Sequence, residues 1–241
     1  MSPRAPFAVA VFASGGGTNF QALLDHQAEQ DLWRVALLVM NREGGAAERA
    51  RNAGVPVRVI PTKDRSDDDV AAETLVALDE HGVDIVLLAG YLRRIPARLV
   101  DRYRGRMLNI HPALLPDFGG PGMYGSKVHQ AVVASHATVS GATVHFVDHE
   151  YDDGAVLGQW QVEVRAGDTP DALAARVLRV EHRLYPAAVD HLCRALLDRR
   201  TPERMNDVRV DEPPDTVPAR PVTAPDDPQA MTNANSNEDL G

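Results

Sequence analysis

Five short, almost uninterrupted apolar runs, each followed by a stretch of mixed alanine and charge, fill the first half of the chain and leave it few folds to adopt. The runs are Phe7 to Ala13, Val35 to Met40, Val57 to Ile60, Ile85 to Ala89 and Met107 to Ile110. A strand with one wet face alternates apolar and polar residues, so unbroken valine and leucine runs suit strands covered on both faces. The stretches Phe20 to Glu29, Ala46 to Ala53, Asp67 to His81 and Pro96 to Tyr103 read as helices. Strand and helix in repeated alternation predict an α/β fold, a doubly wound, mostly parallel sheet with helices on both faces. Ligands of such a sheet bind at the strand ends, where the connecting loops lie.

After His111 the rhythm changes to a long Gly and Pro loop, a short helix near Val128 to Ala134, and two strand-like segments, Thr138 to Val147 and Ala155 to Val164. The two segments can pair antiparallel at one edge of the sheet. A closing helix starts at Thr169-Pro170-Asp171, with Thr as N-cap, Pro in the first turn and Asp favoured by the helix dipole. It runs to about Arg200 and is expected to bend at Pro186. Val208 to Val210 can add one edge strand.

Seven prolines fall between Pro202 and Pro228, and residues 201–241 carry nine acidic against three basic side chains. One folded unit over residues 1–200 and an acidic, Pro-rich tail over 201–241 follow. The tail is expected to be disordered beyond about residue 211, because it buries too little apolar surface to offset ordering. The formal charge of -9 is therefore concentrated in the tail. The remainder lacks the basic stripe of a phosphate-backbone binder, so nucleic acid is not an expected partner. No apolar run reaches the roughly 20 residues that span a bilayer, and Met1 to Pro6 does not read as a signal peptide, which points to the cytoplasm. Cys193 is the only cysteine, which excludes an internal disulfide and a cysteine-rich zinc site. Lys63 and Lys127, the only lysines, stand in neither Schiff-base nor P-loop context.

Three segments can carry chemistry. Ser14-Gly15-Gly16-Gly17-Thr18-Asn19 leaves the first strand and opens the first helix, where backbone N–H groups and the dipole form an anion cup. A third fingerprint glycine, an acidic end to the second strand and a Walker lysine are all missing, so one phosphate monoester fits better than a nucleotide. A tight turn without a ligand fits the same residues. Asn109 and His111 stand two apart at the end of the fifth strand, hence on one face, where an amide and an imidazole can share a developing oxyanion; a strand histidine also serves plain packing. Asp148-His149-Glu150-Tyr151-Asp152-Asp153-Gly154 is an acidic loop whose carboxylates matter only if one lands beside His111, where it would favour the protonated ring. His145 and His149 are four apart on a strand, a spacing that gathers metal ligands only on a helix, so no metal is expected. His26, His81, His129, His136, His182 and His191 read as surface or packing residues.

Several segments in order resemble the folate-dependent glycinamide ribonucleotide formyltransferases: residues 14–23, Leu88-Ala-Gly-Tyr-Leu-Arg93, residues 108–116, Gly141-Ala-Thr-Val-His-Phe-Val147, Asp152-Asp-Gly154 and Glu181-His-Arg-Leu-Tyr-Pro186. The resemblance spans Phe7 to Leu197. It implies a Rossmann-type catalytic domain that transfers the formyl group of 10-formyltetrahydrofolate to the amine of glycinamide ribonucleotide in purine synthesis, without a metal. By position it implies Asn109, His111 and Asp152 as catalytic residues, with Asn109 and protonated His111 stabilising a tetrahedral intermediate and Asp152 supporting the histidine. It implies Gly17, Thr18 and Asn19 at the substrate phosphate and Glu181 at the ribose hydroxyls. Leu92, Arg93, Arg94 and Ile95, together with Asp148, His149, Glu150, Tyr151, Asp152 and Asn109, would hold the folate. Three departures stand out: Arg94 in place of an apolar residue, a longer loop over residues 117–127, and no clear partner for the folate glutamate beyond Arg65. Other readings are a methionyl-tRNA formyltransferase, which carries a further tRNA-directed domain, a formyltetrahydrofolate hydrolase, which carries a domain before the first strand, and a non-catalytic phosphosugar-binding module. A monomer or homodimer is expected.

Overall fold

The computed structural model describes residues 5–210, so the tail expected to be disordered beyond residue 211 lies outside the described residues. In chain order the elements are β1 (Phe7–Ala13), α1 (Thr18–Gln27), β2 (Trp33–Met40), α2 (Gly45–Asn52), β3 (Val57–Val59), α3 (Asp67–Glu80), β4 (Ile85–Leu88), α4 (Ala97–Arg102), β5 (Met107–His111), α5 (Ser126–Ala134), β6 (Val139–Phe146), β7 (Val156–Glu163), α6 (Pro170–Leu197) and β8 (Val208–Arg209). They form one eight-stranded sheet in the order β3-β2-β1-β4-β5-β6-β7-β8. Strands β1 to β5 pair parallel with their neighbours; β6 runs antiparallel to both β5 and β7, and β8 is parallel to β7. The antiparallel pair thus sits on one side, as the composition change after His111 predicts.

Both faces of the sheet are covered. In β1, Val9, Val11 and Ala13 pack with α1, α2 and α6, while Ala10 and Phe12 pack with α3 and α4. Each face buries one of the two alternating sets of side chains, which is why the run contains no polar residue. Chain order reverses direction across the sheet between β1 and β4, and a crevice opens there beyond their carboxyl ends.

Helix α6 closes the crevice from one side. Leu173, Val177, Val180, Leu184, Ala188 and Leu192 repeat at three and four residues and bury one stripe on the sheet. Thr169 Oγ1 accepts from Ala172 N at 3.2 Å, so the helix is capped as the sequence predicts. It continues through the buried Pro186 as one helix to Leu197, close to the expected end; the missing N–H removes one ladder bond, and burial on both sides holds the turn. The Tyr185 hydroxyl lies 3.1 Å from both Leu88 O and Leu108 O, pinning α6 over the ends of β4 and β5. Helix periodicity then carries Glu181, one turn earlier, to the crevice.

Candidate active site

The turn from β1 into α1 sets one end of the site. Gly17 has φ +73°, and a Cβ there would stand 2.6 Å from Ala46 Cβ, so both conformation and space require glycine. No side chain caps α1, which leaves its first N–H groups, at Thr18 and Asn19, free to meet an anion in the crevice. Arg49 Nε and Arg42 Nε donate to Gly16 O and Ser14 O at 2.9 and 3.1 Å, holding the outside of the turn.

From this cup a cleft of about 550 Å³ runs along the ends of β4 and β5 to the acidic loop after β6. Asn109 and His111 line it from β5, and Asp152 from the loop. His111 Nδ1 is 3.6 Å from Asp152 Oδ2, and Asn109 Nδ2 is 3.5 Å from Asp152 Oδ1. The three side chains therefore converge, as the sequence leads one to expect. Asp152 adopts φ +55°, a conformation asparagine and aspartate tolerate better than other side chains. Gly154 follows because a Cβ there would fall 1.8 Å from Phe146 O.

Tautomers follow from the carbonyl partners. His145 Nδ1 faces Phe146 O at 2.9 Å and must carry hydrogen, so in the neutral ring Nε2 accepts from Asn109 Nδ2 at 3.0 Å. That bond orients the Asn109 amide and leaves its second N–H with only the long approach to Asp152. His111 Nε2 faces Phe118 O at 2.9 Å and likewise carries hydrogen, so a second proton on this ring would sit on Nδ1, opposite Asp152. Gly120 N donates to Asp152 Oδ2 at 2.9 Å, tying the acidic loop to the glycine-rich segment.

Electrostatics correct one expectation. Burial pushes the His111 pKa below its ordinary value and outweighs the opposing pull of Asp152, so the free site holds the ring neutral near pH 7 rather than protonated. Burial tends to raise the Asp152 pKa, but His145, His111 and the Gly120 N–H more than compensate, and its carboxyl stays below the usual range. Glu181 is buried, accepts from Asn19 Nδ2 at 2.5 Å, and is pushed up to about 7 by burial. His129, on α5, also lines the cleft and is lowered to about 4, chiefly by burial.

The expected folate walls line the cleft: Leu92, Arg93, Arg94 and Ile95 on one side, Asp148, His149, Glu150, Tyr151 and Asp152 on the other. Leu92 N–H is occupied by Ser14 Oγ at 2.9 Å, so this residue offers its carbonyl and side chain. Arg94 reaches across to His149 O at 3.4 Å, which gives the unexpected arginine a role in joining the walls. Arg65 is placed elsewhere: it pairs with Glu73 at 2.7 Å and does not line the cleft. Sequence spacing missed His145 and His129 as site residues. His145 is found only through the strand register that sets it opposite Asn109.

The Formyl transferase family matches residues 7–189. The chain is 50% identical over 189 residues to phosphoribosylglycinamide formyltransferase, chloroplastic, of Arabidopsis thaliana, covering 77% of this chain and 65% of that protein. It is 40% identical over 186 residues to trifunctional purine biosynthetic protein adenosine-3 of Bos taurus, covering 75% of this chain and 18% of that protein. Among solved structures, glycinamide ribonucleotide transformylase 1 from Symbiobacterium toebii is similar with a TM-score of 0.74 and 36% identity, covering 79% of this chain and 89% of that one. The chain spans less than two thirds of the length of the curated relatives quoted.

Proposed function

Because this chain belongs to the formyl transferase family, we propose that it transfers the formyl group of 10-formyltetrahydrofolate to the primary amine of glycinamide ribonucleotide, a reaction of purine synthesis. One observation carries this reading: an amide, an imidazole and a carboxylate meet within 3.6 Å in a cleft that continues to an uncapped helix start. A phosphate monoester at one end and a reactive carbonyl at the other fit that arrangement. The named functions of the sequence and structural relatives support it.

The folate supplies the electrophilic formyl carbon. Attack by the amine on the formyl carbon moves negative charge onto the formyl oxygen, where the Asn109 N–H, drawn from its long approach to Asp152, donates, and His111, once protonated, adds positive charge nearby. His111 starts neutral and gains stabilisation as a cation once Asp152 faces the charged Nδ1–H, so the ring accepts the proton leaving the amine, directly or through water, and passes a proton to the folate N10 as the C–N10 bond breaks, releasing tetrahydrofolate and the formylated amine. Gly17, Thr18 and Asn19 bind the phosphate through backbone N–H groups, and Glu181 accepts from the ribose hydroxyls. Holding both substrates in line supplies much of the remaining rate. Leu92 to Ile95 and Asp148 to Asp152 enclose the pterin. Arg93 and Arg94 are the guanidinium groups among the cleft-lining residues, so the folate glutamate is assigned to them and not to Arg65. No metal takes part, the protein acts as monomer or homodimer, and the cytoplasm is its proposed location; no helix among the described residues is long and apolar enough to cross a membrane.

The test is release of tetrahydrofolate from purified protein given both substrates, with no-acceptor and tRNA controls. Turnover only with glycinamide ribonucleotide supports the proposal. Turnover without acceptor indicates a hydrolase, turnover with tRNA a different acceptor, and phosphosugar binding without any folate turnover a binding module.

A further inference from the structure

Residues 201–210 follow the part of the chain that matches the family, yet they are built into the sheet. Met205 N donates to Leu157 O at 2.7 Å, Val210 N to Gln161 O at 2.9 Å, and His191 Nε2 meets Glu203 O at 2.8 Å. From this segment Arg204 Nη2 reaches inward to Gln159 Oε1 at 2.8 Å, while Asp207 accepts from the same nitrogen at 2.9 Å.

The far side of Gln159 leads to the catalytic loop. Gln159 Nε2 donates to Leu115 O at 2.7 Å and to Thr143 Oγ1 at 3.0 Å. Thr143 Oγ1 in turn donates to Ala113 O at 2.6 Å and accepts from Leu115 N at 3.0 Å. Residues 113–115 begin two positions after His111, and the same loop ends at Phe118, whose carbonyl receives His111 Nε2. Both ends of the loop therefore bear on His111, and two buried polar side chains grip its middle.

A glutamine amide can bind in either of two orientations that differ little in shape. Arg204 has no acceptor, so it can meet only the oxygen, and that choice turns the Gln159 nitrogen toward Leu115 O. Without Arg204 the nearly buried oxygen, on a residue 8% exposed, loses its donor while Leu115 O still requires the nitrogen, so the amide regains a partner for its oxygen only by shifting toward water and loosening its hold on the loop.

We propose that Arg204 is a positioning residue for His111, acting through the fixed amide of Gln159 on the loop 113–118. This rests on the formyl-transfer reading for its kinetic effect, but the arrangement itself does not. Arg204 and its partner Asp207 are both about half exposed, so the role is local rather than a matter of core packing.

The test compares wild type, Arg204→Ala and Arg204→Lys as full chains, by steady-state kinetics and by NMR of the His111 Nε2–H. The alanine variant is expected to lose on the order of tenfold in kcat, the scale that a misplaced catalytic group costs. KM for both substrates should stay within about twofold, since neither binding wall is touched. The Nε2–H should exchange faster with water as the Phe118 bond loosens. Lysine, also a donor without an acceptor, should restore most of both readouts. An alanine variant with wild-type kcat overturns the proposal, as does one whose kcat falls while the His111 signal is unchanged or lysine fails to restore it. The imidazole signal needs no substrate, so it still judges the positioning if wild type transfers no formyl group, a result that would instead defeat the functional reading.

Discussion

Asn109 and His145 stand opposite each other in the antiparallel pairing of β5 with β6, amide nitrogen 3.0 Å from Nε2. The imidazole fixes which way the amide points and commits one of its two N–H groups. Replacing His145 with leucine frees the amide to rotate, and kcat should fall at least about tenfold, toward the roughly hundredfold that loss of an oxyanion donor costs. His145→Gln keeps an acceptor and should retain more activity. Steady-state kinetics with saturating substrates checks the order of the three proteins.

Glu181 gives a pair of opposed effects. Its pKa is pushed up to about 7 from an ordinary 4.5, so the folded chain prefers the protonated form. The associated stability is present in full below about pH 4.5 and is lost as pH rises through about 7, on the order of 3 kcal/mol for a shift of this size. Glu181→Gln does not titrate, so above pH 7 its melting temperature should exceed that of wild type, and below pH 5 the gap should close. The same variant should raise KM for the phosphoribosyl substrate, because the ribose hydroxyls lose a charged acceptor. Thermal unfolding across pH and substrate titration read the two effects separately.

Gly17→Ala tests the anion cup. A side chain at φ +73° costs about 1 kcal/mol or more, and the close approach to Ala46 adds to it. Lower stability together with a raised KM for the phosphate-bearing substrate, and little change in KM for the folate, is the expected outcome. Equal changes in both KM values would place the phosphate elsewhere.

His111 resists protonation through burial, and Asp152 works against that resistance. Removing the carboxylate in Asp152→Asn should therefore lower the His111 pKa further, and histidine NMR titration follows it directly. The sign for stability is the same in both proteins: a depressed folded pKa favours the neutral ring, so stability from this group is present above its ordinary value near 6.5 and is lost as pH falls.

Much of this architecture was legible in the chain because its cause is local. β1 spans the apolar run Phe7 to Ala13 that two-sided burial demands, and α6 begins where Thr169 and Pro170 announce a helix. α1 begins at Thr18, two residues before the apolar pattern starts at Phe20, because the glycine turn feeds the helix directly. Strand alternation, also a local rule, sets Asn109 and His111 on one face. It does not reach His145, because that partner is set by the register of two strands and spacing along one strand carries no trace of it. The pairing of Arg65 is equally unreadable from the sequence, because Glu73, on the helix that follows, takes its guanidinium only once that helix packs. A nearby carboxylate alone predicts a charged His111; burial, which depends on the whole packed site, reverses the direction.

The most direct measurement is the turnover of Asp152→Asn beside wild type, with folding verified by an unchanged melting temperature. A carboxylate that holds the proton relay in place should be worth about a hundredfold or more in kcat, and the variant should lose that much while still binding both substrates. A variant that folds and turns over at the wild-type rate would contradict the account at its centre.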